Sequence, residues 1–159
     1  MTTQAQELWQ KAKSIIERQE LPVPLQTLAL AAVAQGVKRF QRHFLNDRIR
    51  QLFKQLSTYG QHPEVLLIAG SDSRVEPALI TQRRPGEIFE VRNVGNVVPH
   101  FGTGCSEEAA IEYALTQLKV KDIIIMGHSD CGAVKASPNF SRLGEMPSVA
   151  RWLEKSIVS

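Results

Sequence analysis

The chain has 159 residues, of which 43% are hydrophobic and 22% charged, and its formal net charge is +3. This balance is typical of a soluble globular domain and excludes a fibrous or disordered protein. No apolar run approaches the roughly 18 residues that a membrane-spanning helix needs, and the polar N-terminus lacks the pattern of a secretory signal. We therefore expect a cytoplasmic protein without a transmembrane segment.

Helical periodicity dominates the first third of the chain. Apolar residues recur at helical spacing from Gln4 to Gln19, which predicts an amphipathic helix that ends before Pro22. A second helix begins near Leu25 and either continues toward Phe44 or breaks near Gly36. A third helix is predicted at about Asp47 to Leu56.

Basic residues cluster between Lys38 and Lys54, at Arg39, Arg42, Arg48 and Arg50. The favoured interpretation is the solvated face of an amphipathic helix, and the alternative is a surface for nucleic acid or another polyanion. No base-reading motif accompanies the cluster, so we expect no nucleic-acid partner.

The second part of the chain alternates between strands and helices. Three runs are mainly apolar, Val65 to Ala69, Ile88 to Val91 and Ile123 to Met126, which is typical of strands buried on both faces of a parallel sheet. A helix from about Ser106 to Leu118 provides a crossover between the last two strands. The fold class is therefore α/β, with a loop from Ala136 to Pro147 and a last helix near residues 148 to 156.

Polar motifs follow the first and third strands. Residues 71 to 74 read Ser-Asp-Ser-Arg, and residues 128 to 131 read His-Ser-Asp-Cys. Ligands of such sheets bind beyond the carboxyl ends of the strands. The two motifs therefore arrive at the same edge of the sheet.

His128 and Cys131 form an H-x-x-C pair on the turn after a buried strand. An imidazole nitrogen and a thiolate suit zinc. The alternative is a capped turn with a small buried cysteine. The sequence has only one other cysteine, Cys105, so a disulfide framework is not expected in this chain.

Asp72 and Arg74 lie two residues apart after the first strand. A neighbouring guanidinium keeps a carboxylate ionised, and such a carboxylate can orient a metal-bound water. The alternative is a structural ion pair that fixes the loop. Because the pair directly follows a buried strand, we expect it to be buried and its loss to lower stability markedly.

Taken together, these motifs resemble the β-class carbonic anhydrases, and most closely their cyanobacterial and plant-type branch. The resemblance is carried by LLIAGSDSRVEPALI, RPGEIFEVRNVGNVVPHFG, AAIEYAL and IIIMGHSDCGAVKA. It implies a parallel-sheet core flanked by helices, zinc as the cofactor, and the interconversion of carbon dioxide and bicarbonate. We interpret residues 37–159 as this domain and residues 1–36 as an N-terminal helical extension that could bind a partner protein.

The resemblance also implies roles for individual residues. His128 and Cys131 match two zinc ligands, Asp72 and Arg74 match the dyad that orients the bound water, and the expected third ligand, a cysteine, falls on Gly70. The residues matching the family's substrate pocket are Gln61, Phe89, Val94 and Tyr113. Core packing is an equally good explanation for the last three.

Several departures from the family pattern predict impaired activity. Gly70 supplies no ligand. Cys105 is a candidate to replace it, but the favoured interpretation of Cys105 is a free cysteine in a loop. Glu108 stands where the family has a small residue, so we expect it to add bulk near the site. The family normally continues past the position of Ser159 with a further helix and strand, so we expect the domain to lack these C-terminal elements and to leave a sheet edge bare.

Two functions follow from these residues. The first is a non-catalytic homologue with weak or absent zinc and a structural or regulatory role linked to inorganic carbon. The second is an active zinc lyase. In either case the resemblance implies a homo-oligomer, because the family pairs its subunits around a shared pocket.

Overall fold

The structure is a computed structural model that describes residues 6–7, 28–136 and 143–154. The predicted helix at Gln4–Gln19 lies almost wholly outside these ranges. The chain divides into two compact units, residues 1–60 and residues 61–159. The predicted boundary between residues 36 and 37 stays a prediction.

The first unit is helical in its described part. Helix α1 spans Leu28–Arg39, continues as a π-helical turn at Phe40–Phe44, and is followed by α2 at Asp47–Tyr59. Gly36 does not break α1, because a helix tolerates an isolated glycine at a modest cost. The side chain of Asn46 caps α2 by accepting a hydrogen bond from the N–H of Ile49 at 3.1 Å.

The second unit is a three-stranded parallel sheet with helices between its strands. The strands are β1 (Val65–Gly70), β2 (Ile88–Asn93) and β3 (Asp122–Met126), in the spatial order β2-β1-β3. The helices are α3 (Pro77–Thr81), α4 (Ser106–Tyr113, extended by a π-helical turn at Ala114–Leu118), α5 (Gly132–Ala136) and α6 (Pro147–Glu154). The α/β class is confirmed, and the two short helices α3 and α5 were not predicted.

The core of this unit lies around the central strand. The four residues Leu66–Ala69 of β1 are at most 1% exposed. Leu66 and Ile68 pack with Ala114, the first residue of the π-helical turn that extends α4. On β3, by contrast, Ile123, Ile124 and Ile125 are 46%, 45% and 55% exposed. The expectation of burial on both faces is therefore wrong for β3, because the described residues leave the side chains on both faces of this strand partly uncovered.

A second apolar cluster covers the turn that follows β2. It consists of Val97, Leu143 and Leu153, with side chains from α5 and α6 packed against it. Gly95 in this turn has φ +84°, and a Cβ there would lie 3.0 Å from Leu153 and 3.2 Å from Ala133. A glycine is therefore needed for α5 and α6 to approach the turn this closely.

No described helix is both long and apolar enough to cross a membrane.

Candidate functional site

The two polar motifs meet at the carboxyl edge of the sheet, as predicted. In the strand register, Gly70 at the end of β1 lies beside Asn93 of β2, and Ala69 lies beside Met126 of β3. The loops that leave β1 and β3 bring Asp72 Oδ2 within 3.7 Å of His128 Nε2. The parallel arrangement thus places the expected carboxylate and imidazole side by side.

The hydrogen bond of His128 fixes its tautomer. Its Nδ1 lies 2.9 Å from the carbonyl oxygen of Ser129, and because a carbonyl can only accept, Nδ1 carries the proton. In the neutral imidazole the Nε2 atom presents a lone pair, and this buried atom has no hydrogen-bond partner among the described residues. Histidines that bind a metal through one ring nitrogen usually donate a hydrogen bond from the other, and His128 has this orientation.

Gly70 faces this bare nitrogen. A Cβ added at position 70 would lie 3.7 Å from both Cδ2 and Nε2 of His128, and 3.9 Å from the amide nitrogen of Asp72. These are ordinary van der Waals distances. A Cβ at position 70 would therefore fit without a shift of the backbone, and it would lie beside His128.

The residues present do not form a complete zinc site. Cys131 is a free, partly buried thiol that follows the third strand. Across the described ranges, however, no group of three or more histidine, cysteine, aspartate or glutamate side chains could hold a metal ion. Cys105, the weaker substitute ligand, belongs to no such group, and its Sγ lies 3.3 Å from the Oγ1 of Thr103.

Asp72 and Arg74 form the predicted ion pair in bidentate geometry. Arg74 Nε donates to Asp72 Oδ1 at 2.9 Å, and Arg74 Nη2 donates to Oδ2 at 2.7 Å. The backbone N–H of Arg74 also donates to Oδ1, at 3.0 Å. These bonds hold the pKa of the Asp72 carboxyl well below its usual range.

The expectation that this pair is buried is wrong. The side chain of Arg74 is 58% exposed and that of Asp72 is 23% exposed. The loop after β1 turns toward solvent as soon as the strand ends, so the guanidinium reaches water. The pair orients Asp72 toward His128 more than it stabilises the fold.

Asp130 is a second partner of Arg74 that the sequence did not reveal. Its Oδ2 lies 3.6 Å from Arg74 Nη1, its backbone oxygen accepts from Nη2 at 3.3 Å, and its side chain also pairs with Lys135. Asp130 adopts a positive φ of 62°, which aspartate tolerates better than most residues. The only hint in the sequence is a charged residue inside the His-x-x-Cys turn.

Arg92 ties down the loop that carries Asp72. From β2 its guanidinium donates to the carbonyl oxygens of Gly70, Asp72 and Val75 at 3.2, 3.0 and 2.5 Å. It also pairs with Glu76 at 3.1 Å. An arginine directly after the second predicted strand is the signal that could have identified it.

The four expected pocket residues do not all gather at this edge. Val94 follows β2 directly at the carboxyl edge and is 43% exposed, while Gln61 is exposed before β1. Phe89 and Tyr113 lie together, with ring centroids 5.9 Å apart. Phe89 pairs with Leu66, four residues before Gly70, so this aromatic pair lies about 13 Å from the edge along the strand.

Glu108 contacts the loop before α4, and the expectation that it adds bulk near the site stays a prediction. Its carboxylate accepts hydrogen bonds from the backbone N–H groups of Gly102 and Gly104 at 2.5 and 2.6 Å. These bonds keep the pKa of Glu108 below its usual value. Glu108 therefore holds the loop before α4, close to a helix N-terminus that favours negative charge.

Comparison with known proteins identifies relatives of this arrangement. A family model described as carbonic anhydrase matches residues 65–158. Carbonic anhydrase of Pseudomonas aeruginosa is 50% identical over 124 residues, which cover 76% of this chain and 54% of the relative. Carbonic anhydrase of Synechocystis sp. is 45% identical over 122 residues, covering 76% of this chain and 44% of the relative.

Solved structures agree with the sequence matches. The structure of the β-carbonic anhydrase CcaA has a TM-score of 0.77 at 42% identity, covering 81% of this chain and 58% of that one. A tetrameric β-carbonic anhydrase from Sordaria macrospora has a TM-score of 0.58 at 35% identity, covering 79% and 58%. The chain spans about half the length of the curated relatives that it matches.

Proposed function

Because the chain belongs to the β-carbonic anhydrase family, we propose that it is a catalytically impaired or inactive homologue with a structural or regulatory role linked to inorganic carbon. The family is zinc-dependent. Its zinc lowers the pKa of a bound water to about 7 and so supplies hydroxide for attack on carbon dioxide. Three protein ligands are the usual minimum for such a site.

The observation that carries the proposal is the glycine at position 70. It offers no donor atom beside the bare Nε2 of His128, and no described trio of ligand side chains replaces it. Asp72 is a poor substitute, because both of its oxygens already accept hydrogen bonds from Arg74. We propose that zinc binds to His128 and Cys131 weakly or not at all.

The second candidate is an active zinc lyase, and it rests on what remains of the site. The Asp72–Arg74 pair is formed, and His128 is held in the tautomer that a metal ligand requires. In this candidate, His128 and Cys131 would hold zinc, and Asp72, held by Arg74, would accept a hydrogen bond from the bound water and so orient it. Gly70 weighs against it.

We also propose that the chain associates with itself. Phe89 and Tyr113 lie about 13 Å along the strand from the edge that carries the two polar motifs, and we propose that they line a pocket together with that edge of another copy. The tetrameric relative from Sordaria macrospora supports an oligomer.

We further propose that the protein is cytoplasmic, that it has no nucleic-acid partner, and that it binds a partner protein through residues 1–36. These three proposals rest on the sequence alone.

The test is zinc content together with carbon dioxide hydration, measured on the same purified chain. We expect little zinc after dialysis against a mild chelator, and hydration close to the uncatalysed rate. The P. aeruginosa relative, carried through the same dialysis, is the positive control. Near-stoichiometric zinc with clear hydration in this chain would favour the zinc lyase instead.

A further inference from the structure

The described helices of the first unit concentrate the positive charge of the chain. Between residues 28 and 60, six residues are lysine or arginine and only Asp47 is acidic, so this stretch has a formal charge of +5. The whole chain has a net charge of +3, and its remainder is therefore slightly negative. All six cations are exposed, and they are Lys38, Arg39, Arg42, Arg48, Arg50 and Lys54. This asymmetry favours a negatively charged partner.

An apolar stripe runs along α1 and the π-helical turn that follows it. It consists of Val33, Val37, Phe40 and Phe44. Successive members lie four, three and four residues apart, which places them on one face of a helix. Three of the four are more than half exposed, and Phe40 is 42% exposed although it packs edge-on against Phe53 of α2. Contiguous exposed apolar residues of this kind mark a surface that binds another molecule or a membrane.

The cations of α1 and of the turn lie away from the stripe. At about 100° per residue, Lys38, Arg39 and Arg42 lie on the opposite side of the helix. A helix with an apolar stripe and a basic opposite face is suited to lie flat at a membrane surface. Its apolar side chains enter the boundary between headgroups and acyl chains, while its long basic side chains reach the headgroups.

We propose that α1 and the π-helical turn bind flat to an anionic lipid surface. The stripe is buried below the headgroups, and the cations of residues 38–54 contact the lipid phosphates. This binding needs no zinc and is therefore independent of the proposed function. It agrees with the proposed cytoplasmic location, because the cytoplasmic leaflet of a membrane is negatively charged.

The combination of charge and apolar surface favours lipid over two other partners. A nucleic acid would pair with the cations, but its phosphates and base edges are polar and would not bury Val33 and Val37. A second copy of these helices would cover the stripe, but it would bring two units of charge +5 together. An anionic lipid surface satisfies both the stripe and the cations.

The test is co-sedimentation of the full chain with two kinds of vesicle. One is phosphatidylcholine alone, and the other is an equal mixture of phosphatidylcholine and phosphatidylglycerol. We expect binding to the mixed vesicles only, and we expect it to weaken as the salt concentration rises, because salt screens the cations. Equal binding to both kinds of vesicle would show that the cations are not needed and would overturn the inference.

Two substitutions test the apolar and the basic side of this surface separately. Phe44→Ser removes the most exposed member of the stripe, and we expect binding to the mixed vesicles to weaken about tenfold. Arg42→Glu reverses one cation, and we expect a loss of about tenfold or more. The matched controls are Phe101→Ser and Arg83→Glu, at positions 98% and 58% exposed in the second unit. Both controls should bind nearly as the parent does.

The other outcomes assign the surface to a different partner and overturn the inference. Tighter binding to a DNA duplex than to the mixed vesicles would assign it to nucleic acid. No binding to either vesicle, with an apparent mass in solution that falls in Phe44→Ser, would show that a second copy covers the stripe. Losses in the two controls equal to those in Phe44→Ser and Arg42→Glu would show that the vesicles bind elsewhere. The Tm of each variant verifies that it folds.

Discussion

At position 70, the chain has no side chain beside His128, one of the two residues that we propose as zinc ligands. His128 is already held by Ser129, and its Nε2 atom faces the vacant Cβ position at 3.7 Å. The orientation of His128 is thus largely fixed before a metal arrives. Such preorganisation lowers the cost of binding once the third donor is present.

We therefore expect Gly70→Cys to raise the zinc affinity of the chain by about tenfold or more, because the thiolate would be a third protein ligand. The added Cβ meets no atom closer than 3.7 Å, so the fold should not change. Competition with a coloured chelator measures the affinity, and Gly70→Ser is the matched control with a poorer donor. Equal affinities for the parent and Gly70→Cys would mean that position 70 does not face the metal.

The Asp72–Arg74 pair predicts a pH dependence. Arg74 lowers the pKa of Asp72 in the folded chain, so the pair contributes stability above the unfolded pKa of about 4 and loses it as the pH falls through the lower folded value. Arg74→Ala should lower the Tm slightly near neutral pH, since the guanidinium is 58% exposed. The difference should shrink as the pH falls below about 4.

Thermal unfolding of both proteins between about pH 3 and 7 measures this difference. Arg39→Ala is the control, because Arg39 is an exposed residue at the end of α1. We expect no such pH-dependent difference for it. A Tm difference for Arg74→Ala that stays constant across the range would show that Asp72 is not its partner in solution.

For individual residues, the sequence predicted which side chains lie close together but not how exposed they are to solvent. Asp72 and His128 follow parallel strands, and the ends of such strands converge whatever the loops do. The exposure of Arg74 and the role of Asp130 depend on the course of two loops. Residue spacing carries no information about that course.

Among the elements, the loop from Gly70 to Glu76 depends on a neighbouring strand. Arg92 donates to three of its carbonyl groups and is only 26% exposed. We expect Arg92→Ala to lower the free energy of unfolding by about 2 to 3 kcal/mol, because carbonyl groups lose a charged donor. Arg92→Lys should recover only part of this, since one ammonium cannot replace the planar fork.

Urea unfolding measures both Arg92 variants, and Arg83→Ala is the control. Arg83 is 58% exposed and its contact with Glu87 is long, at 3.9 Å, so its loss should be nearly neutral. Full recovery of stability in Arg92→Lys would show that a single positive charge is enough and that the three-carbonyl contact is not essential.

The three strands show what the pattern of apolar residues can predict and what it cannot. Apolar runs identified β1, β2 and β3 correctly, and the helix between β2 and β3 indicated their parallel order. The same runs could not distinguish a central strand from an edge strand, because both read as consecutive apolar residues. Strand order places β1 in the centre, but it does not by itself explain the exposure of β3, because β2 is also an edge strand and is less exposed. That exposure depends on which elements pack on the faces of each strand, and this packing is long-range.

At the scale of the whole molecule, β3 is the described strand with the most exposed apolar side chains. Ile123 and Ile125 point to one face and Ile124 to the other, and all three are about half exposed. Backbone groups on the outer side of an edge strand can pair with another chain. An exposed apolar edge of this kind promotes association between chains.

We therefore expect Ile125→Lys to reduce concentration-dependent self-association of the chain. Ile125 is 55% exposed on the edge strand, so the lysine can reach water there, and charged side chains at sheet edges oppose strand pairing. Ile80→Lys is the matched control, since Ile80 on α3 is 59% exposed and lies outside the sheet. Light scattering over a concentration series measures association, and the Tm verifies that each variant folds. We expect the apparent mass from light scattering to fall for Ile125→Lys and to change little for Ile80→Lys. Equal reductions of that mass in both variants would mean that net charge, rather than the β3 edge, governs association.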